Sequence, residues 1–110
     1  MNLDIKIIKD TLMVRVGGEM DMLVADQLRY EIDRVIRGKN IRNLILDMEA
    51  VTFMDSAGLA VILGRYKKMA ASGGKMYIIK ARPGVKKVLE LSGVDKLVAI
   101  CTDEKDIINL

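Results

Sequence analysis

The sequence predicts an α/β domain with a mixed central sheet: an N-terminal β-hairpin, then helices and strands in alternation, with the helices packed on the sheet. Three observations predict it. The first sixteen residues alternate apolar and polar positions around a turn; "NLILDM" (43–48) is a continuous apolar run of strand length; and two helical patterns, each opened by a capping residue and closed by glycine, flank that run. A chain of 110 residues suits one such domain, spanning 1–110.

Residues 3–8 and 12–16 read as two strands about a turn at Asp10-Thr11, with Leu3, Ile5 and Ile7 on one face. Gly17-Gly18 then leads into a helix whose N-cap is Asp21 and whose core stripe is Val24, Leu28, Ile32 and Val35; Gly38 marks its end. Arg29, Asp33 and Arg37 fall away from that stripe. The run at 43–48 reads as a parallel strand covered on at least one face. Over 56–71, Leu59, Ile62, Leu63, Tyr66 and Ala70 share one helical face, and Ser72-Gly73-Gly74 stops the helix. "KMYIIK" (75–80) and "LVAIC" (97–101) are further strands. Between them a short helix follows Pro83 with Val85, Val88 and Leu89, and a terminal helix is expected from Asp103. The strand-helix-strand units require right-handed crossovers, so part of the sheet is parallel.

Composition narrows the chemistry. There is no histidine, which removes the usual base of a serine nucleophile and the commonest transition-metal ligand. The one cysteine, Cys101, forms no internal disulfide or paired-cysteine metal motif, and reads as a buried strand residue. No metal and no cofactor is expected. Nor does the N-terminal stretch carry the apolar run of a signal peptide or membrane span, so a cytoplasmic protein is expected. The net charge of +3 hides a stretch, 56–89, with eight basic residues and no acid: Arg65, Lys67, Lys68, Lys75, Lys80, Arg82, Lys86 and Lys87.

"MDSAGLAV", residues 54–61, places an acid and a hydroxyl where a strand should hand over to a helix. The simplest reading is that Asp55 or Ser56 caps the helix. Two features pull away from capping alone. Gly58 lies in the first helical turn, where it costs stability and leaves the backbone open to close approach. Ala57, Val61 and Gly64 fall opposite the expected core face, so that together with Gly58 and an exposed Met54 they would form a docking surface for another protein, unless a second helix or the chain terminus covers them. Asp21, at the end of the second strand, can reach the same edge and make an acidic rim with Asp55. A hydroxyl at a helix N-terminus is also well placed to carry a phosphate, which a partner packed on that rim would not tolerate.

"GEMD" (18–21), "FMDSAGLAVILGRYK" (53–67) and "LSGVDKLV" (91–98) together resemble the STAS family, and within it the anti-sigma-factor antagonists of sporulation. The resemblance covers essentially the whole chain. It implies the STAS fold and a protein that is not an enzyme. Unphosphorylated, such a protein binds an anti-sigma factor that is also a serine kinase of the GHKL type, and so frees the sporulation sigma factor. The kinase phosphorylates the serine of the Asp-Ser-x-Gly loop, here Ser56, and a PP2C-like phosphatase restores it. Ala57 stands where relatives often carry a second hydroxyl. Asp21 matches the family's acidic residue facing the loop, and Met20 replaces the commoner leucine. The partner-binding set is then Asp21, Met54, Asp55, Ser56, Ala57, Gly58, Val61 and Gly64.

Other readings fit less of the sequence. A STAS regulator of a general stress pathway would share the chemistry and differ in partner. The basic stretch could bind nucleic acid or a nucleotide phosphate, but it has only Tyr66 and Tyr77 as aromatics and no phosphate-cradling loop. Direct nucleic-acid or membrane binding is therefore not expected, and the stretch serves as a solvated face or steers an acidic partner. A serine hydrolase lacks its first elbow glycine and its base. A phospho-aspartate receiver built on Asp47 lacks the acidic pair that would hold magnesium.

Overall fold

In β2, Leu12, Val14 and Val16 are fully buried while Met13 and Arg15 on the alternate positions are not, the signature of a strand with one face on the core. The computed structural model describes residues 2–107. The elements are β1 (Asn2–Ile8), β2 (Thr11–Met20), α1 (Met22–Gly38), β3 (Asn43–Met54), α2 (Ser56–Ala71), β4 (Lys75–Ile79), α3 (Pro83–Ser92) and β5 (Ala99–Cys101). The five strands stand in sequence order, β1-β2-β3-β4-β5; β1 is antiparallel to β2 and every later pair is parallel. Right-handed crossovers that always step in one direction put all their helices on the same face. Leu28 and Ile32 of α1, Val61 and Ile62 of α2, and Val85 and Leu89 of α3 accordingly share one core with Leu44, Leu46 and Met48 of β3. Ile45, Ile79 and Ile107 form a small cluster apart from it.

Several local expectations are corrected. The hairpin turns at Lys9-Asp10, with Lys9 in the left-handed region (φ 57°), and Thr11 already belongs to β2. Both β2 and β3 run well past their expected ends. Arg15 pairs with Asp47 and Gly17 with Ala50, Gly18 pairs with Val51 and Glu19 with Phe53, so β3 accommodates extra residues in two bulges. Gly18 stands at φ +85° beside the second bulge, a conformation side chains disfavour, and nothing lies within 4 Å of an added Cβ; the glycine is there for its backbone. In place of a terminal helix, a 3-10 turn spans Glu104–Ile107, because the Asp106 carboxylate accepts the Thr102 and Asp103 N–H groups at 3.1 and 3.2 Å. Any continuation into 108–110 falls outside the described residues. Cys101 is half-buried rather than buried.

α1 and α2 lie side by side, and their seam holds an ion pair. Arg65 Nε stands 3.0 Å from Asp33 Oδ1 and Lys68 Nζ stands 3.2 Å from Asp33 Oδ2. Asp33 is therefore buried, not set away from the core, and Arg65 belongs to the interior, not to a basic surface. The Nε–H is poorly aligned with its carboxylate oxygen and Arg65 Nη1 has no acceptor, so the pair is held by charge more than by directed hydrogen bonds. Burial pulls the Arg65 pKa below the usual arginine value; Asp33 opposes that and Arg29 adds to it.

Candidate functional site

Met20 and Met54 are register partners at the ends of the parallel strands β2 and β3. The residue after each is an aspartate that caps a helix, so two N-caps follow neighbouring strand ends at the carboxyl edge of the sheet. This edge is where parallel α/β sheets expose helix N-termini and place their binding sites. Asp21 Oδ1 accepts the Val24 N–H at 3.1 Å, and Asp55 Oδ1 accepts the Ala57 and Gly58 N–H groups at 2.9 and 3.4 Å. Of the two candidate caps of α2, it is Asp55 that caps, and Ser56 is the first helical residue with its side chain exposed.

The capping geometry also revises how a phosphate would sit there. Asp55 occupies Ala57 N–H and Gly58 N–H with its side chain and Leu59 N–H with its carbonyl oxygen, at 3.2 Å. Those three amides are taken by Asp55 and are not free to hold a phosphate on Ser56. Its charge would stay outward, beside two carboxylates.

The expected docking surface is rearranged. Met54 is 4% exposed and Val61 6% exposed, and Gly58 is buried too; of the three, only Val61 lines a surface groove, the one between α1 and α2 with Met22, Ala57 and Ala60. The second bulge is the reason for Met54. With Thr52 inserted, Met54 follows Val51 by three residues yet faces the core again, and Phe53 turns outward. For Val61 and Gly58 the reason is α1. The buried residues of α2 are Gly58, Val61, Ile62, Arg65 and Met69, while Leu59, Leu63 and Tyr66 are half-buried and Ala70 is exposed, because the helix packs on its neighbour as well as on the sheet. A Cβ on Gly58 would stand 2.7 Å from Met54 Cγ and 3.1 Å from Met54 Sδ, so the glycine serves helix-to-strand packing. Ala57 and Gly64 remain partly accessible.

Three large apolar side chains that sequence reasoning passed over frame the aspartates instead: Met22 and Leu23 at the start of α1, 70% and 69% exposed, and Phe53, 50% exposed. The signal was available for α1. Met22 and Leu23 lie roughly 120–140° around the helix from Leu28, outside the core stripe, where apolar residues need a reason. Phe53 depended on the bulge and could not be placed from periodicity.

The basic stretch disperses. Besides Arg65 and Lys68, Lys80 Nζ reaches Glu104 Oε2 at 3.4 Å and Asp47 Oδ2 at 4.0 Å, and Arg82 Nε donates to the Glu49 carbonyl at 2.8 Å. Burial tends to lower the Lys80 pKa, but Glu104 and Asp47 outweigh it and the net shift is upward. Asp47 is 2% exposed and bound by Arg15 Nε at 3.2 Å, a structural role on the sheet face away from the helices. Among the described residues no helix is long and apolar enough to cross a membrane.

The sequence profile of the STAS domain matches residues 2–107, and the chain belongs to the STAS domain family. Within it the chain groups with the anti-sigma factor antagonists. The anti-sigma F factor antagonist of Paenibacillus polymyxa is 37% identical over 94% of this chain and 91% of its own length. An anti-sigma-B factor antagonist of Staphylococcus aureus is 28% identical over 79% of this chain and 80% of its own. Among solved structures, the anti-sigma factor antagonist SpoIIAA in its unphosphorylated form superposes with a TM-score of 0.85 at 28% identity, covering 96% of this chain and 93% of that one. The phosphorylated form of the Bacillus cell fate determinant SpoIIAA superposes with a TM-score of 0.78 at 27% identity, over 98% of each chain.

Proposed function

We propose that this chain is the antagonist in a sporulation partner switch controlled at Ser56. Unphosphorylated, it binds an anti-sigma factor that is also a GHKL-type serine kinase, in the cytoplasm, and displaces the sigma factor held there. Phosphorylation of Ser56 by that kinase ends the complex, and a PP2C-like phosphatase restores it. The chain is then a substrate and a ligand, not a catalyst.

One observation supports the reading: β2 and β3 end in register at Met20 and Met54, each followed by a capping aspartate, and the exposed residues Ser56, Met22, Leu23 and Phe53 all lie within two positions of those aspartates. Apolar residues supply contact area, the acids supply orientation toward a basic partner, and Ser56 supplies the switch. A phosphate adds a charge of about −1.5 to −2, which a packed partner would have to desolvate beside two existing acids. Ala57 and Gly64 contribute surface. Met54, Gly58 and Val61 act from beneath, fixing the first turn of α2 against β3 and α1.

Intact-mass analysis after incubation with the kinase and ATP tests this directly. One phosphoryl addition on the wild type and none on Ser56→Ala is expected; addition to the Ser56→Ala chain would move the switch elsewhere. The similarity to anti-sigma-B antagonists supports a second reading, the same chemistry in a general stress pathway. Affinity measured against both classes of anti-sigma factor separates the two.

A further inference from the structure

We propose that the outer edge of β1 is a self-association surface, on which a second copy of this chain adds its own β1 antiparallel to form one continuous sheet. β1 (Asn2–Ile8) lies at the edge of the sheet and pairs only with β2 among the described residues. Leu3 and Ile5 pack on the helix-side core, while Asp4 and Lys6 point to the other face and are exposed. Residues directly opposite each other in an antiparallel pair share a face, so each register can be examined by its side-chain pairs.

A two-fold axis through Ile5 sets Ile5 against Ile5, Leu3 against Ile7, and Asp4 against Lys6, giving two cross-strand ion pairs and an apolar row on the opposite face. Moving the axis to Asp4 sets two carboxylates against each other, and moving it to Lys6 sets two ammonium groups together. An axis between residues opposes charged and apolar side chains. One register is therefore selected over its neighbours, which an edge defended only by scattered charge would not require. On the helix side the same axis brings Ile7 of the second copy, 41% exposed in the single chain, to the mouth of a groove of about 630 Å³ lined by Leu3, Ile5, Asp26, Gln27, Tyr30 and Glu31. The isologous geometry points the two Ser56 rims in opposite directions, so pairing leaves both accessible.

Sedimentation velocity of the full chain from micromolar to millimolar concentration tests the proposal. A concentration-dependent dimer is expected for the wild type. Asp4→Lys and Lys6→Asp should each weaken it by about tenfold or more, through two like-charge pairs, and the double exchange should restore it. Ile5→Cys in a Cys101→Ser background should oxidise to a covalent dimer, because antiparallel partners stand at a separation a disulfide spans. A wild type that stays monomeric at millimolar concentration, a double exchange that fails to recover pairing, or a dimer that Ile5→Cys does not cross-link would each overturn it.

Discussion

Removing the Ser56 hydroxyl leaves the first turn of α2 intact, because the Asp55 carboxylate makes the cap. Ser56→Ala should therefore fold normally, bind the anti-sigma partner and accept no phosphate; a folded variant without affinity would make the hydroxyl itself part of the contact. Ser56→Asp places a third carboxylate on the rim and should weaken binding by about tenfold or more, which a titration with purified partner measures. Gly58 and Gly64 make a controlled comparison within the same helix. Alanine at Gly64 meets nothing within 4 Å and should stabilise by roughly 0.5–1 kcal/mol. At Gly58 the same methyl must displace Met54, so overpacking of about 1–3 kcal/mol should outweigh the gain in helix propensity. Thermal unfolding of both variants gives the two signs, and a Gly58→Ala chain more stable than wild type would sink the packing account.

At the scale of elements, the seam between α1 and α2 depends on Asp33 and Arg65. Asp33→Ala leaves the buried Arg65 charge without its partner and should cost about 3–5 kcal/mol, whereas exchanging both for apolar residues of similar volume should be close to neutral. Denaturant unfolding of the single and double variants distinguishes them; equal losses would mean that shape, not charge, is what the seam requires. Asp55→Ala should cost about 1 kcal/mol and fray the turn that presents Ser56. α1, α2, α3, the hairpin and the order of elements along the chain were legible because each is written locally, in caps, periodicity and short turns. The ends of β2 and β3 were not, since bulges interrupt the alternation that a reader of period two relies on. Asp33 and Arg65 were misplaced for a related reason: two opposite charges on two helices look like two solvated faces until the helices are laid together. Ser56, Asp55 and Asp21 were placed at the rim from their positions at element junctions, whereas Met54 and Val61 required tertiary context.

For the molecule as a whole, the half-buried Cys101 reports on integrity. Burial first, and Asp106 second, push its thiol above the ordinary cysteine value, so less of it is thiolate at pH 8 than in an unfolded chain. Alkylation at that pH should be slower in the native protein than in denaturant and should accelerate on destabilisation; equal rates would show that β5 is open in the native state. The sequential strand order has a consequence in time as well as space. A ribosome delivers the amino end first, so every strand after β1 emerges to find a neighbour already made, and none must be inserted between earlier ones. Nascent chains carrying residues 1–71, extended by an unstructured linker that spans the ribosomal exit tunnel, should resist limited proteolysis over 2–71, and uniform digestion would show that β4 is needed first. The rim of Asp21, Asp55 and Ser56 would then be assembled during synthesis, before the last two strands of the sheet have left the ribosome.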